Sequence, residues 1–485
     1  MFSELFQRRP LRVLLCLGFF LRALTALANP GFISFDDYQS VLRLLIPWQR
    51  IESLSWIVQA SEIRSPLVRL ALVPFPWLAY HLGLSDPFWQ IRLLYLGVGS
   101  ISCVLIWLAY KLFQHLGRED EARLAGFLVA VHFLLPYVNT RVMFENLCMA
   151  PFFASLYCLH RYVQKPYDIK AIHASVIFMA IASVARPQVG ICWIVIAGYV
   201  VASRSLKHVA HLFISSALCF LLIGFSDQWL RGTFHQTLRL YWDYNVHHSA
   251  EYGSYPVTYY LPVVIALTFL PFLFASWKSI SVKKLFRHLH PTLWFFVVFF
   301  VSHSLIKHKE ERFLYPAIPL LIVLLTPWID ALIKQGKTLR LKLGLALNSL
   351  LLFGIALFPA QWNVAGMVKY LDEHPQLTKV HRYKDSGALY PTIYSARVLP
   401  DMIEVGTIDA DLIASMKDCQ SVLMLREDYW PEVAPDSVAQ LKVQATFAPG
   451  PLEALVVKLN PGKNRRRAAI VALMPQSCSE AHSGD

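Results

Sequence analysis

The chain has 485 residues, 56% of them hydrophobic and 16% charged, with a mean hydropathy of +0.44 and a formal charge of +13. A soluble domain carries about a quarter charged residues, so this composition excludes an ordinary soluble domain and points to lipid as the solvent. The positive charge does not imply nucleic acid, because Lys and Arg lie in short clusters between apolar runs, the pattern of membrane-protein loops.

In chain order, the first apolar run, 11–28, follows Arg8, Arg9 and Arg12 and continues to Ala28 with no small-residue cleavage site. It reads as an uncleaved first helix rather than a signal peptide. Residues 29–90 then read as a long first external loop. Spanning helices are expected near 92–113, 123–138, 147–162, 170–185, 189–203, 208–225, 257–277, 291–306, 314–333 and 341–360, which makes about eleven in all. The stretch 66–84 holds Arg69, three prolines and His81. If it crossed, the basic clusters at 161–170, 204–208, 278–287 and 334–342 would all face outward, against the rule that Lys and Arg collect on the cytoplasmic side. It is therefore expected not to cross, which puts the N-terminus inside and the C-terminus outside.

After about residue 361 the composition changes. A helix-like pattern from Gly366 to His374 precedes strand-like runs at 421–425, 440–447 and 454–459. The chain thus reads as an all-α polytopic membrane domain over 1–360, followed by a small external α+β domain over 361–485. Six of the eight cysteines lie in apolar runs; Cys419 and Cys478 lie in the C-terminal region and are candidates for a disulfide. No Cys or His spacing suggests zinc.

On this topology the polar motifs share one face of the membrane, and polar groups at membrane depth mark function. Asp36-Asp37 opens the first loop and reads as a general base, a divalent-metal ligand or ordinary loop solvation. Lys307-His308-Lys309-Glu310-Glu311-Arg312 packs six ionisable residues between two apolar helices. Carboxylates beside cations suit transfer of a group from a phosphate donor: the acid takes a proton from the acceptor hydroxyl, and the cations meet the leaving phosphate. Weaker candidates are Arg22, which either snorkels or contacts a donor, and Arg186-Pro187, which reads first as a helix end. His247-His248 reads as loop histidines, and Arg465-Arg466-Arg467 as a solvated or headgroup-facing patch.

His308-Lys309-Glu310-Glu311-Arg312-Phe313-Leu314-Tyr315-Pro316 with Pro319-Leu320 resembles the H-K-E-x-R-F-x-x-P-x-x-P-L signature of the Alg9-like mannosyltransferases, glycosyltransferase family 22 of the GT-C superfamily. Asp36-Asp37-Tyr38-Gln39-Ser40 is similar to that family's D-E-[HY]-x-Q-S element, with one residue fewer and Asp in place of Glu. Glu62-Ile63-Arg64-Ser65 resembles E-x-R-S. Thr140-Arg141 with Glu145 resembles T-R-x-x-S-N-x-x-E at altered spacing, and Asp227 to Gly232, Tyr244 to Val246 and Tyr252 to Tyr260 resemble further elements.

The resemblance implies a GT-C fold and inverting transfer of a hexose, foremost mannose, from a polyprenyl- or dolichyl-phosphate sugar to a glycolipid or lipid-linked glycan. Carried over residue by residue, it implies Asp36 or Asp37 as the base, with Asp36 favoured by position. Arg64, His308, Lys309 and Arg312 would hold the donor phosphate; Glu62, Glu310, Glu311, Tyr252 and Tyr255 would contact substrate, or in the case of the Glu pair hold the cations. No cofactor is required on this reading, and a divalent metal is weighed but not favoured. The expected partners are membrane lipids, the lipid-phosphate sugar and the acceptor, with no nucleic acid and a monomeric enzyme. The location is a bacterial inner membrane or the endoplasmic reticulum. A transporter or flippase of a lipid-linked or anionic substrate is the alternative, although no internal repeat supports it.

Overall fold

Apolar runs with few interior charges become the long helices of the computed structural model, which describes residues 8–34, 37–43, 57–58, 63–165, 168–248, 251, 253–274, 282–336 and 338–479. Among the described residues, five helices are long and apolar enough to cross a bilayer: Pro10–Ala28, Pro87–His115, Leu206–Arg231, Glu311–Lys334 and Leu339–Glu373. Shorter apolar helices cover Ile169–Ala185, Pro187–Ala202, Val257–Thr268 and Leu289–Leu305. Helices Glu119–Val131 and Met149–Gln164 lie within or beside two further expected spans. This is the build of a multi-pass membrane protein. Segment 66–84 forms two short helices, Pro66–Leu70 and Pro74–His81. At about 1.5 Å of rise per residue neither reaches across a hydrocarbon core of roughly 30 Å.

The chain divides into two units. The first gathers Met1–Ala26, Ile51–Val73 and Tyr95–Phe353. Its helices used below are α1 (Pro10–Ala28), α2 (Ile169–Ala185), α3 (Leu206–Arg231), α4 (Ile318–Lys334) and α5 (Thr338–Leu357), the last running on past Phe353. Every residue of α4 from Ile318 to Asp330 is buried, against Glu119–Val131, Tyr260–Phe274 and Val282–Leu305. By contrast α3 turns Phe213, Leu218, Leu222 and Phe225 outward, a face that costs little in hydrocarbon and much in water.

Local chemistry sets the helix ends. Asp168 accepts from the Ala171 N–H at the start of α2, and Ser205 accepts from the His208 N–H at the start of α3. Pro187 pushes Arg186 into an extended conformation and ends α2. Gly232, with φ +82°, ends α3 in the left-handed region. Arg22 does not snorkel: it is 1% exposed, its Nε donating to Ser102 Oγ at 2.8 Å and its Nη1 to the Gly18 carbonyl at 3.1 Å.

The second unit gathers Leu27–Arg50, Pro74–Leu94 and Gly354–Asp485. Strands β1 (Lys379–Tyr383), β2 (Met402–Val405), β3 (Ser421–Arg426), β4 (Leu441–Phe447) and β5 (Ile470–Pro475) form one sheet in the order β2-β1-β3-β5-β4. Pairings among β2, β1 and β3 are parallel; those of β5 with β3 and β4 are antiparallel. Helix α6 (Trp362–Glu373) packs on β4 and β5.

The strand expected at 454–459 is instead part of α7 (Pro451–Leu459). Its β-branched pair Val456-Val457 is outweighed by Pro451 at the first helical position, Glu453 in the first turn and Lys458 in the last, each of which favours a helix. The expected runs at 421–425 and 440–447 do form strands, as β3 and β4.

Cys419 and Cys478 are bridged, with Cα atoms 5.3 Å apart, joining residues 59 apart in sequence. Cross-links of this span stabilise by about 2–4 kcal/mol. Cys419→Ser is therefore expected to lower the unfolding temperature of this unit, and mass-tagging of unreduced protein should leave both thiols unmodified. Two free thiols would remove the bridge from the native protein.

Candidate active site

Arg186 is taken out of α2 by Pro187, and Glu145 sits in the short helix Phe144–Leu147, after an extended Met143. The two meet at 2.6 Å from Arg186 Nη1 to Glu145 Oε1, with side chains only 1% and 4% exposed. Arg312 Nε lies 4.0 Å from the same oxygen. Arg312 also forks onto Glu310, Nε to Oε2 at 2.6 Å and Nη2 to Oε1 at 2.9 Å. Glu310 Oε1 takes a third contact from His308 Nε2 at 3.0 Å. The Arg186 guanidinium covers the Phe313 ring at 4.6 Å. Arg64 lies over Phe144 at 5.1 Å and Tyr241 at 5.4 Å, and Arg69 lies over Phe144 at 5.6 Å. Four arginines thus gather around Glu145 and Glu310.

Burial alone would raise the Glu145 carboxyl; the charges of Arg186, Arg312 and Arg64 outweigh it and hold the group below the usual range. Glu310 behaves likewise: burial pushes it up, while hydrogen bonds from His308 and Arg312 bring it down to about 2. A carboxyl depressed in the folded state stabilises the fold above its ordinary pKa, and that contribution disappears as pH falls through the depressed value. The stability gap between wild type and Glu310→Gln is therefore expected to be widest above about pH 4.5 and to close towards pH 2. A gap constant over that window would show that the fork does not hold Glu310 ionised.

The remaining expected residues fall as follows. Lys309 is 3% exposed; its Nζ donates to the Tyr255 carbonyl at 3.2 Å and also to the Ile306 carbonyl. Tyr255 returns a backbone N–H to the Lys307 carbonyl at 3.1 Å, so the 306–309 turn and the 253–256 segment are tied together. Glu311 accepts from the Tyr259 hydroxyl at 2.5 Å.

Asp37 belongs to the second unit, is buried, and accepts from the Ile33 N–H at 3.1 Å. The residues leading to it are anchored within that unit. Asn29 Nδ2 donates to the Ile355 and Phe358 carbonyls, and the Tyr394 hydroxyl donates to the Pro30 carbonyl at 2.9 Å. Asp36, Glu62 and Tyr252 lie outside the described residues. His247 and His248 are exposed and pair with Asp243 and Glu251, as surface histidines do. Among the described residues no three His, Cys, Asp or Glu side chains come together as a metal-ligand group.

Three residues gain weight from the fold. Glu145 and Arg186 form the buried ion pair of this cluster, and Arg69, first met as a reason to doubt a span, is buried beside Phe144. The available signal was an arginine before a proline at a helix end and a glutamate next to an apolar run. Beside the cluster, a cavity of about 500 Å³ is lined by Ser65, Pro187, Asp227, His235 and Thr237 and by apolar side chains such as Phe213 and Phe220. His235 has φ +51°, uncommon for a side chain of its size, and stacks on Phe220 at 4.0 Å. Asp227 accepts from the Thr237 N–H and hydroxyl, both at 2.8 Å, and fixes this loop.

The chain is 29% identical over 223 residues to GPI mannosyltransferase 3 of Yarrowia lipolytica, a match covering 44% of the chain and 42% of the relative. It is 30% identical over 185 residues to GPI mannosyltransferase 3 of Gibberella zeae, covering 33% and 29%. The Drosophila melanogaster GPI mannosyltransferase 3 is 27% identical over 161 residues, covering 30% and 28%. Each match therefore spans less than half the relative's own length. In fold, the chain resembles the crystal structure of ArnT from Cupriavidus metallidurans in the apo state, with TM-score 0.53 and 14% identity over 93% of this chain and 95% of that one. The form of ArnT bound to undecaprenyl phosphate gives 0.51 and 14% over 95% and 97%. A sequence profile of the Alg9-like mannosyltransferase family matches residues 45–385, which takes in the arginine cluster, both its carboxylates and the 308–316 signature, and the chain belongs to that family.

Proposed function

We propose that this chain is an inverting glycosyltransferase that moves a hexose, foremost mannose, from a polyprenyl- or dolichyl-phosphate sugar to a glycolipid or lipid-linked glycan at the external face of its membrane. The observation that carries the reading is the arginine cluster: Arg64, Arg69, Arg186 and Arg312 outnumber the buried carboxylate Glu145 and the half-buried Glu310 among them. Excess positive charge in a dry site suits a phosphate that gains charge as the sugar leaves. The cavity beside it supports a lipid-borne donor, since its apolar walls suit an isoprenoid chain. The undecaprenyl phosphate of the ArnT complex is consistent with the same donor class.

In this mechanism Asp36, or Asp37 next to it, takes the proton of the acceptor hydroxyl. Inversion needs one base and an oxocarbenium-like transition state, and the phosphate leaves without a general acid because its pKa is already low. Arg64, Arg186 and Arg312 meet the phosphate, with Lys309 and His308 adding to the field. Glu145 and Glu310 hold the guanidinium groups in place, while Glu62, Glu311, Tyr252 and Tyr255 are assigned to the sugar and acceptor. No cofactor is assigned, so turnover is expected to be unchanged in EDTA; loss restored by a divalent ion would move the acid pair to metal binding.

The test is incubation of the purified protein with a short-chain polyprenyl-phosphate mannose and extracted membrane lipids, followed by mass spectrometry. One lipid class is expected to gain a hexose. No transfer, together with movement of the donor across proteoliposomes, would favour the transporter reading instead.

A further inference from the structure

Helix α7 does not bury itself against the sheet of its unit. Leu452 reaches inward, where a Cβ placed on Gly354 would meet its Cδ1 at 3.0 Å. Gly354 lies in the C-terminal part of α5, within an apolar stretch long enough to cross a bilayer. Gly450 is close in the same way to Phe358. Glu453 accepts from the Gln361 N–H at 3.0 Å, which fixes the start of α7 beside the end of that apolar stretch.

The apolar stripe of α7 that starts at Leu452 runs on uncovered towards the C-terminal end of the helix: Leu455 is 50% exposed, Val456 39% and Leu459 75%. Leu357 and Phe358, at the chain segment that Gly450 approaches, are also more than 40% exposed. Lys458 follows within the helix, and Arg465, Arg466 and Arg467 form the next turn but one, with Lys463 between. Residues 451–467 carry five basic side chains and one carboxylate. Arg465 pairs with Asp428 and Arg467 lies 3.7 Å from Glu453, which orders the turn, while Lys458 and Arg466 are exposed.

The geometry points to α7 and the 463–467 turn as an anionic-lipid docking surface, through which the C-terminal unit lies on the bilayer beside the end of α5. An exposed apolar helix face flanked by basic residues is how interfacial helices bind: apolar side chains enter the acyl boundary and cations meet headgroup phosphates. Continuity with a membrane-length helix sets this surface at the depth where headgroups lie. The partner is thus the surface of an anionic bilayer.

The test uses the full chain in nanodiscs, one protein per disc, of phosphatidylcholine with or without phosphatidylglycerol. Hydrogen exchange is followed over 451–467. With phosphatidylglycerol the amides of α7 are expected to exchange at least about fivefold more slowly, the factor that one basic residue contributes near an anionic surface. Raised salt should reduce the difference. Lys458→Gln with Arg466→Gln should lose it, with the rest of the sheet exchanging as in wild type. Leu459→Gln, at the most exposed apolar position, should weaken protection in both lipids.

Equal exchange in the two disc types would overturn the proposal. So would protection restored in phosphatidylcholine by inorganic phosphate, which would make the turn a free-anion site. Protection that appears only when discs hold two copies would assign the surface to self-association and overturn it as well.

Discussion

Asp36→Asn is expected to reduce hexose transfer by about 10²–10⁴-fold, the contribution of a well-placed general base, while membrane insertion and donor binding stay near wild type. Asparagine keeps the size and much of the hydrogen bonding of aspartate but cannot accept the acceptor's proton. Asp37→Asn separates the pair. Its Oδ2 accepts from the Ile33 N–H, a bond that an amide oxygen keeps, so Asp37→Asn should preserve the turn and remove only charge. Silence at Asp37 with loss at Asp36 assigns the base to Asp36; the reverse moves it by one residue. Tyr394→Phe, which removes the hydrogen bond to the Pro30 carbonyl, is a positioning control expected to lower turnover less and to leave the apparent donor affinity unchanged. Full activity in both Asp→Asn variants would end the carboxylate mechanism.

What the sequence made legible followed periodicity and charge. Apolar runs such as 341–360 and 314–333 became long helices, and prolines at 66, 74 and 76 divided 66–84 into short ones. The signature at 308–316 marked where Arg312 and His308 lie, because those residues are neighbours in sequence as well as in space. Partners distant in sequence were harder to see. Glu145 and Arg186 are 41 residues apart, and nothing local in either helix says that the two meet. Arg186 looked like a helix end because it is one; the same proline that ends α2 also aims the side chain.

In the C-terminal unit the misreading of 454–459 came from weighing β-branched residues above terminal charges. Strand β5 escaped notice because Ile470–Pro475 is buried along its whole length and so shows no alternation. The strong β3 run, flanked by the turn residues of 417–420, was easier to place.

The second large effect is expected at the Arg186–Glu145 pair. Removing one partner of a buried ion pair leaves the other charge without compensation and costs about 3–5 kcal/mol. Glu145→Leu is the more severe single change, because Arg186, Arg312 and Arg64 all lose the carboxylate that opposes them. Both Glu145→Leu and Arg186→Leu should lower the thermal midpoint in detergent, followed by intrinsic fluorescence, and both should lose transfer. The double variant distinguishes structure from function. With both charges gone the apolar side chains can pack together, and stability should recover much of the single-variant loss. Transfer should not recover, since a guanidinium assigned to the donor phosphate is still missing, and the deficit should appear as weaker donor binding. A double variant that regains both stability and transfer would reduce Arg186 and Glu145 to a structural pair and leave Arg64 and Arg312 to meet the phosphate alone.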